Sequence, residues 1–333
     1  MSGRAVLIGG TGMVGRAASA ALARDGWEVV ALSRSGEVSD ELAALGVQGA
    51  AADKADDAQL RAAIGDSADV VIDMISYNRE HGEQLNGLAG IAGSLVVVST
   101  VSVYCDDAGN ALDGVSEEFP VFPVPVLETQ RTVEPGDETY STNKVALEQA
   151  LLAGPLPATL VRPGAIHGPG AKNPRELYFA KRAYDGRRRV AIAYNGESRF
   201  HTTSVPNLAE VIRLAAAQPG NRAFNAVDPE SLPTLEICRA IGAAMGHEFD
   251  PALLPGDEYD NPWGTPPDRP TVFSMEAAER DLGYKPVATY PEAVGETCAW
   301  LVGELEAGRD WNGTYLEGML DYAKEDEVLG SIA

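Results

Sequence analysis

Residues 4–24 read RAVLIGGTGMVGRAASAALAR, and the clearest structural pattern of the chain lies in this stretch. It begins with a short apolar run, residues 5–8, which predicts a buried strand. A glycine-rich turn, residues 9–15, follows, and after Gly12 the apolar positions take helical spacing as far as Gly26. A strand, a tight glycine turn and a helix are the context that a dinucleotide-binding motif requires.

This turn has two properties that suit a pyrophosphate. Glycine allows a sharp turn and a close approach of the backbone, and a helix start offers free N–H groups at the positive end of its dipole. The spacing is G-x-x-G-x-x-G rather than the commoner G-x-G-x-x-G, and a turn of this kind can also need glycine for geometry alone. Its position after an apolar run favours a nucleotide site, with cofactor contacts from Gly9, Thr11, Gly12, Met13, Val14 and Gly15.

Composition excludes several classes of function. The chain has 333 residues, of which 45% are hydrophobic, enough for two lobes or one large α/β unit. Its formal net charge of −23 should repel nucleic acid and anionic lipid, so we expect neither as a partner. No long apolar stretch or basic leader is present, which predicts a cytoplasmic protein. Three cysteines and four histidines are scattered, which predicts no metal site.

Apolar runs and helical patterns alternate over the first half of the chain. Helices are predicted at 56–64 and 80–92 and from Tyr140 onward. The later strands are predicted at 27–32, 46–51, 68–72, 94–99 and 158–162. This alternation predicts an α/β fold with a doubly wound parallel sheet of the Rossmann type. The turn-rich stretch 163–170 is interpreted as the passage into a smaller C-terminal α/β lobe, which we expect to bind the substrate.

We expect the following domain organisation. The NAD(P)-binding domain is predicted at 1–165, with 200–227 returning to it. Residues 166–199 and 228–310 are predicted to form the substrate-binding lobe. Residues 311–333 are predicted to be a loosely held acidic tail. The segment 105–139 is rich in Pro, Asp, Glu and Gly, and we interpret it as a flap beside the substrate.

The end of the second predicted strand bears on the choice of cofactor. An acidic residue there favours NAD, whereas an arginine suits the 2′-phosphate of NADP. The strand ends in Ser33-Arg34-Ser35, with no carboxylate until Glu37. We therefore predict NADP, with Ser33 and Arg34 at the adenosine ribose; NAD, with Arg34 as an ordinary surface residue, is the alternative. Residues 73–78 should lie over the cofactor, because ligands gather at the carboxyl ends of parallel strands.

Tyr140 and Lys144 are the main candidates for chemistry. They stand four residues apart at the start of a predicted helix and therefore share one face. The structural alternative is a helix-start tyrosine with a solvated lysine. Upstream, the polar cluster 99–104 follows a predicted buried strand, where a substrate carbonyl could bind.

Six segments together resemble the extended short-chain dehydrogenase/reductase family, also called the NAD-dependent epimerase/dehydratase family. The resemblance covers about residues 4–305. The segments are GGTGMVG at 9–15, Asp53 after the third strand, STVSVY at 99–104, YSTNK at 140–144, RPGAIHGPG at 162–170 and RFHTTSVPNLAE at 199–210.

The resemblance implies roles for individual residues. Tyr140 would be the catalytic acid/base, and Lys144 would bind the nicotinamide ribose and lower the pKa of the tyrosine. A free tyrosine titrates near ~10, and a nearby ammonium and a nicotinamide cation both favour the phenolate. Thr100 would hydrogen-bond the substrate oxygen, with Ser102 or Ser99 as alternatives. Asp53 would contact the adenine amino group. Further cofactor contacts are expected from Lys54, Ile75, Ser76, Ser99, Pro163 and Ile166, and substrate contacts from Tyr77, Thr100, Ser102, Arg199 and Arg269.

Two departures from the family pattern matter. Members that eliminate water carry an Asp-Glu pair after the catalytic Thr, where this chain has Val101 and Ser102. Elimination would lack its proton donor and acceptor, which argues against a dehydratase. Where most members have an Asp, this chain has Pro206-Asn207, and we predict that Asn207 caps the next helix. Arg199 and Arg269 align with arginines that grip a diphosphate, with structural salt bridges as the alternative.

Three hypotheses for function follow. The first is an NADP(H)-dependent oxidoreductase that transfers hydride at a secondary alcohol or ketone of a nucleotide sugar or natural product. The second is a nucleotide-sugar epimerase that keeps its NAD(P) tightly bound. The third is a non-catalytic binding or regulatory module, against which the intact Tyr140/Lys144 pair argues. Relatives often pair through helices, here 80–92 and 140–153, so a homodimer is one option.

Overall fold

A seven-stranded parallel sheet forms the centre of the structure, a computed structural model that describes residues 3–113, 118–259, 261–311, 314 and 316–331. The strands are β1 (Arg4–Ile8), β2 (Glu28–Ser33), β3 (Gln48–Ala51), β4 (Val70–Asp73), β5 (Leu95–Val98), β6 (Ala158–Pro163) and β10 (Arg222–Ala226). Their order in the sheet is β10-β6-β5-β4-β1-β2-β3, so the chain changes direction across the sheet between β1 and β4.

Helices cover both faces of this sheet. Successive side chains of β1 point to opposite faces of the sheet, and both faces are buried: Ala5 and Leu7 pack in one cluster, and Val6 and Ile8 pack in the other. The first face is covered by α1 (Met13–Arg24), α7 (Val205–Ala217) and α9 (Glu276–Leu282). The second is covered by α3 (Asp57–Ile64), α4 (Arg79–Asn86) and α5 (Tyr140–Leu152). A short α2 (Asp40–Ala44) precedes β3. The predicted doubly wound α/β fold is confirmed.

A second lobe has its own hydrophobic core. Its parallel pair, β8 (Arg189–Ile192) and β11 (Asp250–Leu253), packs with helices around Phe179 and Trp263, both fully buried. The helices are α6 (Leu177–Tyr184), α8 (Thr234–Ala244), α10 (Tyr290–Glu306) and α11 (Tyr322–Ser331). Two short strands, β7 (Ala165–His167) and β9 (Thr202–Ser204), pair in parallel where the chain passes between the lobes.

Some local predictions were wrong. No strand was predicted at 165–167, 202–204 or 250–253, because a segment of three or four residues carries too little periodicity to indicate one. The helix predicted over 80–92 ends at Asn86. The chain beyond it turns at Gly90, whose φ of +95° is incompatible with a helix.

The expectation of a loosely held tail also fails for the part of the tail that the structure describes. Leu316 and Leu329 belong to the core of the second lobe. Glu325 of α11 is completely buried and is bonded to Arg182 at 3.0 Å. An acidic composition therefore concealed one carboxylate with a structural role. Within the described residues, no helix combines the length and the apolar character needed to cross a membrane.

Candidate active site

The glycine turn between β1 and α1 is packed so closely that side chains are excluded from it. A Cβ at residue 15 would lie 2.1 Å from the Gly9 carbonyl oxygen, and one at residue 10 would lie 2.7 Å from Ala31. Gly9 has a φ of +79°, which favours glycine. The helix begins at Met13 without a side-chain cap, so its first N–H groups are available to a phosphate. This cradle fits the pyrophosphate of a dinucleotide.

Gly15→Ala should therefore destabilise the turn. We expect the free energy of unfolding to fall by about 1–3 kcal/mol, because the methyl group must displace backbone atoms. Nicotinamide cofactor binding should weaken in parallel. Urea unfolding and calorimetric titration would measure both quantities. Gly303→Ala is the matched control: Gly303 lies in α10 with no atom within 4 Å of its would-be Cβ, so alanine should be neutral or stabilising there. Equal effects of the two variants would contradict the prediction.

A cavity of about 260 Å³ adjoins the glycine turn. Its apolar wall consists of Ile8, Leu32, Ala52 and Leu60. The cavity also brings together six residues predicted to bind the cofactor: Gly9, Ser33, Arg34, Asp53, Lys54 and Ile75. An apolar slot with a polar rim suits an adenine and its ribose. Arg34 is exposed at this rim and forms no ion pair with any described residue.

Tyr140 and Lys144 are placed by the first turn of α5. Thr139 and Thr142 form a reciprocal capping box, which starts the helix at Tyr140 and sets Lys144 one turn further on. The Lys144 ammonium donates to the carbonyl of Ser76 at 2.7 Å and to that of Val98 at 3.1 Å. Lys144 is only 6% exposed, whereas Tyr140 is 43% exposed. The solvated-lysine alternative is therefore wrong.

The electrostatics of the pair differ from the expectation in one respect. Burial lowers the pKa of Lys144 to about 8, against the opposing effect of the Asp73 and Glu148 carboxylates. Burial raises the pKa of Tyr140, and the Thr100 side chain opposes this rise. Lys144 therefore does not lower the pKa of Tyr140 in this structure, contrary to the expectation. The ammonium is bonded to two backbone carbonyls, and it lies 5.9 Å from the centre of the phenol ring.

Thr100 is the member of the polar cluster that influences the phenol, because its side chain acts to lower the pKa of Tyr140. Its hydroxyl accepts a hydrogen bond from the Ser102 N–H at 3.1 Å and so caps a short 3₁₀ turn, Val101–Val103. Ser99 is buried, with no hydrogen-bond partner for its hydroxyl among the described residues. Ser102 is half-buried. These contacts favour Thr100 over the two serines as the partner of Tyr140.

The remaining predicted residues divide into two groups. Tyr77 lies beside the candidate acid/base, with its ring centroid 5.8 Å from that of Tyr140. Pro163 ends β6, and Ile166 lies on β7. The two arginines of the second lobe are engaged elsewhere: Arg199 donates to the Ser231 carbonyl, and Arg269 donates to the Phe119 carbonyl at 2.7 Å.

Part of the predicted flap is firmly attached. Val126 is completely buried, and its N–H donates to the Val272 carbonyl at 2.7 Å. Phe122 is buried as well. Residues 114–117 of the predicted flap lie outside the described residues. Its place beside a substrate stays a prediction.

Sequence reasoning assigned no role to the buried carboxylates of Asp73 and Asp228. Asp73 ends β4 and accepts hydrogen bonds from Lys54 and Ser76. The only signal for it in the sequence was the position of a carboxylate at the end of an apolar strand. Asp228 accepts a hydrogen bond from Asn207 at 2.8 Å. Asn207 is therefore not the cap of α7. The helix begins at Val205 after Ser204, since Pro206 suits its first turn, and this places Asn207 inside it.

Comparison with known proteins agrees with this geometry. The family model described as the NAD dependent epimerase/dehydratase family matches residues 5–226. The chain belongs to this family. It is thus an enzyme fold of the extended short-chain dehydrogenase/reductase type, for which a nicotinamide cofactor is the expected ligand. A search of curated protein sequences finds no match.

Solved structures share the fold at low identity. UDP-N-acetylglucosamine 4-epimerase from Bacillus cereus is 16% identical, with a TM-score of 0.67 over 90% of this chain and 99% of that one. UDP-glucose 4-epimerase from Thermotoga maritima, solved with UDP-glucose, is 16% identical, with a TM-score of 0.66 over 91% and 99%. The Bordetella bronchiseptica enzyme WbmH, solved with NAD⁺, is 18% identical, with a TM-score of 0.68 over 93% and 100%.

Proposed function

We propose that this epimerase/dehydratase family member is an NADP(H)-dependent oxidoreductase that acts at a secondary alcohol or ketone of a nucleotide-sugar-like or natural-product substrate. One observation carries the proposal. Lys144 is buried and held by two carbonyls, one helical turn from a partly exposed Tyr140 whose pKa the Thr100 side chain lowers, against the larger effect of burial. A solvated lysine and an isolated tyrosine would not need this arrangement.

The proposed roles follow from these contacts. When bound, the nicotinamide supplies or accepts the hydride. Tyr140 gives a proton to the substrate oxygen during reduction and takes it back during oxidation. Thr100 hydrogen-bonds the same oxygen and keeps the phenol in line with it. Lys144 has three N–H donors, and among the described residues the carbonyls of Ser76 and Val98 accept from two of them, which leaves the third for a ribose hydroxyl.

The direct test is a reductase assay. Purified protein with NADPH and a panel of nucleotide-sugar and natural-product ketones should consume NADPH, measured as loss of absorbance, and should yield the matching alcohol. The reverse reaction should give NADPH from NADP⁺ and that alcohol. Calorimetric binding of NADPH without turnover of any ketone would contradict the proposed reaction.

Arg34 gives a prediction for cofactor choice. Arg34→Ala should weaken NADPH binding by about tenfold, because a guanidinium bonded to a phosphate contributes about 1.5–3 kcal/mol and the exposed site reduces that value. NADH binding should be unchanged. Arg188→Ala removes an exposed arginine of the second lobe and should affect neither cofactor. Equal weakening of both cofactors in Arg34→Ala would show that the residue does not read the 2′-phosphate.

A nucleotide-sugar epimerase is the second candidate, and the solved UDP-sugar epimerases that share the fold favour it. The same Tyr140 would then act twice in one turnover, with no net redox change. Arg199 and Arg269 would have to exchange their present carbonyl partners for a diphosphate. Cofactor content separates the two reactions: an epimerase should copurify with nicotinamide cofactor, and a reductase should exchange it during each turnover.

A further inference from the structure

Asp73 is completely buried at the end of β4, and its carboxylate organises the turn that follows. Oδ1 accepts from the backbone N–H groups of Ile75 and Ser76, both at 2.7 Å. Oδ2 accepts from the Lys54 ammonium at 2.6 Å and from the Ser76 hydroxyl at 3.0 Å. Four donors therefore converge on one carboxylate, and charged hydrogen bonds of this kind are among the strongest in proteins.

The turn that Asp73 organises also binds Lys144. The carbonyl of Ser76 accepts from the Lys144 ammonium at 2.7 Å, while the hydroxyl of Ser76 accepts from Lys54. Both lysines thus meet at one serine, with the Asp73 carboxylate bonded to that serine as well. Lys54 is 10% exposed and Asp73 is 1% exposed at the side chain, so water screens this pair poorly.

We propose that Asp73 and Lys54 are positioning residues for Lys144. Asp73 shapes the turn that presents the Ser76 carbonyl to Lys144, and the Lys54 ammonium balances the negative charge of the buried Asp73 carboxylate. The inference rests on the proposed role of Lys144 in holding the nicotinamide ribose. It gives Lys54 a function besides the predicted contact with the cofactor. The juxtaposition joins the turn after β3, the end of β4 and helix α5.

The two residues act on Lys144 with opposite signs. Burial is the largest influence and lowers the pKa of Lys144 to about 8. The Asp73 carboxylate raises that pKa, and the Lys54 ammonium lowers it. Two further titratable groups face the ammonium: Lys144 lowers the pKa of His81 on α4, and the centre of the Tyr140 ring on α5 lies 5.9 Å from the ammonium. The five titratable groups around the ammonium are Lys54, Asp73, His81, Tyr140 and Glu148.

Opposite signs make the proposal testable in the full chain without substrate. The protein has six lysines, so selective ¹³Cε labelling gives few resonances, and the Lys144→Met variant assigns the one of interest. A pH titration followed by NMR then reports the midpoint for Lys144. Asp73→Asn should move this midpoint to lower pH, and Lys54→Met should move it to higher pH. We expect each shift to change the ratio of charged to neutral lysine at pH 8 by about threefold or more.

Two further variants complete the experiment. The double variant Lys54→Met/Asp73→Asn should titrate between the two single variants, and it keeps the test usable if Asp73→Asn alone does not fold. Glu83→Gln removes an exposed carboxylate of α4 and should leave the midpoint unchanged. A merely structural role predicts shifts of the same sign in both single variants, and that result, or no shift, would overturn the proposal.

Failure of the proposed function would look different. A wild-type protein that binds NADPH and reduces no ketone would contradict the reductase while leaving the titration shifts intact. In an active enzyme, the pH above which kcat falls should follow the Lys144 midpoint, downward in Asp73→Asn and upward in Lys54→Met. An unchanged kcat profile despite shifted midpoints would overturn the link between this turn and catalysis.

Discussion

Tyr140→Phe is expected to lower kcat by about a thousandfold, the range associated with loss of a positioned proton donor. Phenylalanine keeps the ring, whose centroid lies 5.8 Å from that of Tyr77, and removes only the hydroxyl, whose pKa the Thr100 side chain lowers. Cofactor affinity should therefore stay close to that of the wild type. The measurement is steady-state NADPH oxidation together with calorimetric NADPH binding.

The pH dependence adds a second readout to this variant. Burial raises the pKa of Tyr140, so in the direction of alcohol oxidation, where the phenolate is the base, the wild-type rate should increase with pH across the neutral range. Tyr140→Phe should abolish that increase. Tyr184→Phe is the matched control, because Tyr184 is 45% exposed on α6 and should change neither rate nor profile. Turnover of Tyr140→Phe within tenfold of the wild type would remove this residue from the proposed mechanism.

The predictable part of the fold is the part with strong periodicity. Buried parallel strands such as β1 and β5 are continuous apolar runs. Helix α1 follows a turn that needs glycine, because an added Cβ at Gly10 or Gly15 would lie less than 3 Å from other atoms. The short strands β7, β9 and β11 are different. Their pairing comes from the meeting of distant segments, as in Ala165 with Thr202, and no local pattern encodes it.

The candidate site was predictable to a similar degree. The residues that form its cavity and its Tyr140–Lys144 face have motif spacings that are visible in the sequence. The hydrogen bonds of Lys144 cannot be predicted from the sequence, because they go to the backbone carbonyls of Ser76 and Val98, which lie 68 and 46 positions earlier in the chain. The pairing of Lys54 with Asp73 is equally hidden, since two charges 19 residues apart show no pattern before the strands align them.

Glu325→Gln should cause a large loss of stability, greater than that of Gly15→Ala. Glu325 and Arg182 are both 0% exposed and are bonded at 3.0 Å, and the Glu325 carboxylate also accepts the Ala191 N–H at 3.1 Å. Glutamine would leave the Arg182 cation buried without a counter-charge, a change that costs about 3–5 kcal/mol in other proteins. We expect the urea midpoint at pH 7 to fall accordingly.

The control for this variant is a salt bridge of the same chemistry at the surface. Glu248→Gln removes the partner of Arg188, a pair of 3.0 Å in which both side chains are more than half exposed. That loss should be about 0–1 kcal/mol. Hydrogen exchange locates the effect: if Glu325→Gln releases α11 alone, residues 322–331 should lose protection while β1 and β4 keep theirs. The prediction would be contradicted if the two variants were equally stable and the amides of α11 were unprotected in the wild type. This segment would then be the loosely held tail that its acidic composition predicted.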